Sequence, residues 1–187
     1  MLKIEKSYID EEYENLNCII EYPVITNLNN DSFIEYINKK IHDDILIFKE
    51  ISEEEYRYTD DNTIIFIDFE VHLNKNNIIS ISIIFSEIYN SNKTINYINT
   101  YNFDLKRKRE LLIEDIFKST GLIERNIGQK FYITKYYVST VFSSYENKDT
   151  CDIDELKIYF KDNESDISNY IKSYIMEWQY EISKWIW

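Results

Sequence analysis

Alanine is absent from the 187 residues, and only two glycines and one proline occur. Without alanine the chain forgoes the best helix former, and the abundance of Ile, Asn, Lys and Tyr reads as a codon bias of the source that weakens propensity arguments. With so little glycine and proline, turns must be built by Asn, Asp and Ser, whose side chains bond their own backbone. Gly121 and Gly128 stand alone, which excludes a glycine-rich phosphate loop, and no Gly-x-Ser-x-Gly elbow exists. Cys18 and Cys151 are too few for a disulfide scaffold and leave open one disulfide or two buried or half-buried thiols. His42 and His72 have no His, Cys or carboxylate partner at metal-ligand spacing and read as ordinary surface or half-buried histidines. No run is long and apolar enough to span a membrane. Met1 to Asp10 alternate in charge without an apolar h-region. That points to a cytoplasmic protein or to a truncated chain that lacks its leader.

What is present is apolar and acidic. Hydrophobic residues make up 44% and aromatics 16%, enough to bury a core and to exclude a disordered chain. Thirty-four acidic residues against 21 basic ones give a net charge of -13. Such a field repels nucleic acid and favours a basic partner, and it also serves solubility.

Several constellations carry chemistry in principle. Lys106-Arg107-Lys108-Arg109 is either an anion contact or a solvated turn tip. Asp149, Asp152, Asp154 and Glu155 resemble a calcium loop in charge but lack the EF-hand glycine and distal glutamate, so an acidic solvated loop is the simpler reading. Cys18 with His42 or His72 makes a nucleophile pair only on paper. A carboxylate pair about 5–10 Å apart, as in glycoside cleavage, is visible only in space. Trp178 and Trp185 fall at core spacing on a helix, whereas Trp187 is expected to be exposed. No residue is assigned as catalytic, cofactor-binding or metal-ligating.

Periodicity predicts an α+β fold, an antiparallel meander against a helix with further C-terminal helices, in one domain over 1–187. Residues 2–13 alternate loosely, Glu14 to Asn17 turn, and Cys18–Tyr22 form a strand ended by Pro23, the two pieces pairing as a hairpin. Phe33, Ile37, Ile41, Ile45 and Phe48 lie on one face of a helix over 31–50, capped by Asn30 or Asp31, with Glu53-Glu54-Glu55 and Asp60-Asp61 bracketing an exposed loop. Residues 63–105 read as three antiparallel strands, turning at Lys75-Asn76-Asn77 and Asn90-Ser91-Asn92, with one buried face and Ser80, Ser82 and Ser86 opposite. Helical spacing predicts a helix over 121–146, although Phe131 to Phe142 is β-branched and aromatic. Leu156–Phe160 reads as a strand, and Asp166 caps a helix over 166–186.

The run Tyr22-Pro23-Val24-Ile25-Thr26-Asn27-Leu28, then Phe33, Ile37-Asn38 and Ile41, resembles the opening of a family of extracytoplasmic domains of Gram-positive bacteria. The likeness continues through Ile78-Ile79-Ser80-Ile81, Phe85, Tyr89, Tyr101 to Leu105 and Ile113-Glu114-Asp115-Ile116-Phe117. That family includes the sensory domain of a lysozyme-sensing anti-sigma factor and the accessory N-terminal region of a secreted peptidoglycan deacetylase, a domain of unknown function. The resemblance covers about 19–118 and leaves a divergent, helical part at about 119–187. Asn90-Ser91-Asn92 replaces the family's small residues, and Asp162-Asn163-Glu164 replaces its glycine- and proline-containing stretch. It implies a non-catalytic domain that binds a cell-wall ligand or a basic protein such as lysozyme, on the outer side of the membrane; the missing motifs and the acidic charge add the expectation of no cofactor and no nucleic acid. The bare residues leave two alternatives: a cytoplasmic, immunity-type acidic protein that neutralises a basic effector, and a hydrolase using carboxylates.

Overall fold

The computed structural model describes residues 2–27, 31–56, 62–89, 94–118, 121, 130–142 and 153–174. By contacts the chain divides into one unit of 1–70, 83–99 and 143–153 and a second of 71–82, 100–142 and 154–187. The fold is α+β, with a six-stranded sheet in the order β1-β2-β3-β4-β5-β6 and a three-stranded sheet in the order β7-β8-β9.

In the first unit, β1 (Lys3–Glu12) and β2 (Leu16–Thr26) form the expected antiparallel hairpin, from Lys3 opposite Thr26 to Glu12 opposite Asn17. The turn sits at 13–15, and Leu16 already belongs to β2. Pro23 does not end the strand as its missing N–H suggested. The ladder from β2 to β3 (Thr63–Lys75) stops at Ile20, so Pro23 faces an open side, where no donor is required. That ladder is parallel, with Leu16 opposite Thr63. A parallel neighbour needs a crossover, and α1 (Ser32–Tyr56) supplies it.

Asp31 caps α1 as expected, its Oδ1 accepting from the Phe33 N–H at 2.9 Å. Ile37, Ile41 and Ile45 are fully buried, as are Cys18, Ile65 and Ile67 of the sheet. Each such isoleucine contributes roughly 2 kcal/mol. The helix runs six residues past the expected end at 50, because Ser52 and Tyr56 continue its buried face and Lys49 pairs with Glu53 one turn on. Glu53 and Glu54 are therefore helical. Phe48 rests on Phe85 of β4 (Ile78–Tyr89) at 5.0 Å between rings and on Tyr97 of β5 (Thr94–Asp104) at 5.7 Å.

In the second unit, Asn76 and Asn77 connect β3 to β4 with φ of 52° and 62°. Positive φ at both centres is the two-residue hairpin geometry that asparagine tolerates. The three sequential strands are neighbours as expected, but the serine side of β4 is not exposed: Ser80 is fully buried and Ser82 nearly so. Ser80 Oγ donates to Asn102 Oδ1 at 2.7 Å and accepts the Ile133 N–H at 2.7 Å, while Asn102 Nδ2 donates to the Phe131 carbonyl at 2.6 Å. These side chains hold β7 (Lys130–Ile133) as a neighbouring strand would.

Over 130–142 that strand and its partner replace the helix expected for 121–146, while 122–129 and 143–146 lie outside the described residues. Residues 130–133 and β8 (Tyr137–Phe142) form an antiparallel hairpin, and β9 (Asp154–Tyr159) pairs with β8. The β-branched and aromatic residues prevail over the fourfold spacing, because a pleated sheet accommodates stiff χ1 better than a helix. The core of this unit is Leu73, Ile78, Leu111, Ile113, Ile116, Phe117, Phe131, Ile133, Val138, Ile158, Phe160, Ile167 and Ile171. β6 (Arg109–Glu110) and α2 (Ile113–Ile116) precede the three-stranded sheet, and Phe160 opens a short 3-10 turn rather than closing the strand. Residues 169–174 are helical. The cap is Ser168, whose Oγ accepts the Ile171 N–H at 3.3 Å, in place of the expected Asp166. The remainder of the expected 166–186 helix lies outside the described residues, as do Trp178, Trp185 and Trp187.

Candidate functional site

The β1–β2 turn and the last turns of α1 enclose a cleft. The turn is closed by the Tyr13 N–H donating to the Leu16 carbonyl at 2.8 Å, and the Asn15 carbonyl accepts the Thr63 N–H at 2.9 Å. The cleft is about 570 Å³ and, among the described residues, is lined by Tyr13, Glu14, Asn15, Leu16, Glu53 and Tyr56.

Its electrostatics centre on Lys49, whose side chain is only 12% exposed. The ammonium lies 2.8 Å from Glu11 and 2.6 Å from Glu53, and 5.7 Å from the centre of the Tyr13 ring. Burial works to lower the Lys49 pKa, but hydrogen bonds to Glu11 and Glu53 prevail and raise it above the ordinary lysine value. Glu11 is held below the usual carboxylate range by Lys49 and by the Tyr13 hydroxyl, which donates at 2.7 Å. One lysine thus serves two glutamates, and Glu14 stands on the rim beyond it.

The cleft also opens at the negative end of a helix. The last turn of α1 holds no basic residue, although carbonyl ends favour cations. Tyr56, in the cleft wall, makes an edge-on ring contact with Tyr89 at 5.3 Å, and the two hydroxyls are hydrogen-bonded. Next to them Glu87 is buried, accepting from Ser52 at 2.8 Å and from Tyr89 at 3.1 Å. The arrangement is an anionic, aromatic-walled recess suited to an ammonium or guanidinium group.

The residues considered from sequence lie elsewhere or are structural. Cys18 is a free, buried thiol pushed up to about 11 by burial, so it is protonated at neutral pH. His42 meets Tyr22 edge-on at 5.9 Å. His72 stacks on Tyr132 at 3.6 Å and is hydrogen-bonded to Ser82 at 2.8 Å. No group of three metal-binding side chains occurs among the described residues. Cys151, Asp149 and Asp152 lie outside them. Glu155 accepts the Tyr132 hydroxyl at 2.9 Å.

The basic run divides. The Lys106 and Arg107 amides donate to Asp104 Oδ1 at 2.9 and 3.0 Å, and the Arg107 guanidinium lies 4.0 Å over Tyr170. Arg109 instead forms a bidentate pair with Asp115 at 2.7 and 2.6 Å. The cluster is thus a fastened turn in which Arg107 and Arg109 are held by Tyr170 and Asp115.

Sequence reasoning missed Lys49 and Glu53. Their i,i+4 spacing was readable, but the expected helix end at 50 split the pair. No sequence signal joins Glu11 to Lys49, because that contact depends on the crossover.

Residues 9–90 match the family model described as "Deacetylase PdaC", a little less than half of the chain. No curated protein matches. Among solved structures, the chain is similar to a DUF3298 family member from Bacteroides fragilis at 15% identity, over 90% of this chain and 94% of that one, with a TM-score of 0.55. It is also similar to a DUF3298 family protein from Pseudomonas aeruginosa PAO1 at 9% identity, over 91% and 95%, with a TM-score of 0.59. At these identities the likeness concerns the fold: the chain folds like the DUF3298 structures and, over 9–90, carries the sequence pattern of the PdaC family model.

Proposed function

We propose that this chain is a non-catalytic binding domain that captures a basic protein, of the kind lysozyme represents. The observation that carries the proposal is the cleft at the end of α1, where Glu11 and Glu53 share a single lysine beside Glu14 at the negative end of the helix. The net charge of -13 adds long-range attraction for such a partner. The match to the deacetylase family model and the resemblance to a lysozyme-sensing domain support a binding role on the envelope side.

The test is calorimetric titration with an animal-type lysozyme, at low salt and near physiological ionic strength, using wild type and an E14Q/E53Q variant. One-to-one binding that survives physiological salt and weakens about tenfold in the variant is expected. Binding confined to low salt, or binding indifferent to the variant, refutes a specific cation-binding site in this cleft. Binding of soluble peptidoglycan fragments in place of lysozyme would assign the recess, with its exposed Tyr13 ring, to glycans.

A further inference from the structure

A second surface of the first unit is independent of the cleft. α1 lies on one face of β1, β2 and β3, and side chains alternate between faces along each strand. The opposite face carries Lys6, Tyr8 and Asp10 of β1, Ile19 and Glu21 of β2, and Ile64, Phe66 and Asp68 of β3. In register, Ile19 stands beside Asp10 on one side and Phe66 on the other, and Tyr8 faces Glu21. Tyr8 is 65% exposed, Ile19 42% and Phe66 39%. These side chains border a shallow cavity of about 460 Å³. Single exposed hydrophobics are ordinary, but a contiguous apolar stripe with a polar border marks an interaction surface.

The border decides what the surface can accept. Lys6 is engaged with Glu21. Asp10 and Asp68 are exposed; Asp68 Oδ1 accepts the Phe69 N–H at 2.7 Å and its charge also attracts Lys6. An anionic membrane or a nucleic acid would meet repulsion there. A second copy placed face to face would oppose like carboxylates with one another. A polypeptide with an apolar ridge flanked by lysine or arginine matches both the stripe and its border.

We infer that the open face of β1–β2–β3 docks a cationic amphipathic segment of a partner protein, its apolar residues on Tyr8, Ile19 and Phe66 and its cations beside Asp10 and Asp68. This does not depend on the cleft, and the two are separable by mutation.

The probe is a synthetic 18-residue helix with leucines on one face flanked by lysines, compared with a peptide of the same apolar face flanked by glutamates. Calorimetry and amide chemical shifts of the intact chain read the binding. The lysine peptide is expected to bind more tightly than about 100 µM, with shifts centred on β1–β3. I19T/F66T is expected to weaken it at least about tenfold; threonine keeps strand propensity and both sites are half-exposed, so the fold is retained. D10N/D68N is expected to weaken it about threefold at low salt and less at high salt. E14Q/E53Q in the cleft leaves it unchanged.

No binding, equal binding of the glutamate peptide, or binding that persists in I19T/F66T overturns the inference. Self-association of wild type that is lost in I19T/F66T overturns it in favour of a second copy. An amide spectrum of I19T/F66T that superposes on wild type outside β1–β3 separates a lost surface from a lost fold.

Discussion

Asn38→Ala tests how the two-layer arrangement of the first unit is held. The ladder from β2 to β3 ends at Ile20, yet Ile25, five residues on, is buried. Its backbone would have no strand on that side. Asn38 of α1 supplies the substitute: Oδ1 accepts the Ile25 N–H and Nδ2 donates to the Ile25 carbonyl, both at 2.8 Å. One side-chain amide thus plays the part of a neighbouring peptide. Removing it leaves a donor and an acceptor without partners in a part-buried setting, at about 1–1.5 kcal/mol each. Alanine returns about 0.5 kcal/mol through its better helix propensity. The net loss is about 2 kcal/mol, or about 6 °C in the transition reporting the first unit. Equilibrium urea unfolding followed by far-UV circular dichroism measures it. Asn38→Asp keeps the acceptor but sets a carboxylate against the carbonyl, and is expected to cost at least as much. A loss below about 0.5 kcal/mol at unchanged m-value would refute the reasoning, because water would then serve Ile25 as well as the amide does.

Ser80→Ala removes the acceptor of the Ile133 N–H and the donor to Asn102, and is expected to cost about 2–3 kcal/mol in urea unfolding of the second unit. Burial acts to raise the Asp115 carboxyl, but Arg109 and the Leu112 amide prevail and hold it below the usual value of 3.8. Its stabilisation is therefore present above that unfolded value and lost as pH falls through the lower folded one. Asp115→Asn should flatten the acid limb of the stability curve, and a limb identical to wild type would exclude Asp115 as its source. The Cys18 thiol, pushed up to about 11 by burial, should resist a thiol reagent at pH 8 until urea unfolds the chain. Peptide mapping separates it from Cys151.

What was legible in the sequence was local. Asp31 and the fourfold isoleucines fixed the start and face of α1, and alternation fixed the three central strands, because each signal depends only on neighbours along the chain. The parallel pairing of β2 with β3 was not legible: it joins segments on either side of α1 and has no local signature. At Phe131–Phe142 two periodicities competed, and only the partners Ser80 and Asn102, thirty to fifty residues away, show which one the fold uses. The motif Ile113-Glu114-Asp115-Ile116-Phe117 was visible as a resemblance without its reason. In the structure Asp115 caps α2 through the Leu112 N–H at 2.9 Å and grips Arg109, while Ile113, Ile116 and Phe117 enter the core.

The two ends of α1 differ in how well they obey the rules of helices. At the start an aspartate caps the backbone and Asn38 secures the sheet, so sequence and structure agree. At the end Glu53 and Glu54 stand where the carbonyl dipole disfavours negative charge, and the nearest lysine is already divided between Glu11 and Glu53. Stability alone would place lysine or arginine in that turn. A local rule broken next to a cleft, with no compensating cation beyond Lys49 among the described residues, is the pattern expected where a chain keeps charge for a partner rather than for itself. The same logic predicts that reversing the charge at Glu54, which is not part of the cleft wall, stabilises the free chain slightly, by about 0.3–0.5 kcal/mol, while slowing association with a cationic protein. If Glu54→Lys accelerated that association, or left its salt dependence unchanged, the acidic end of α1 would have no part in capture.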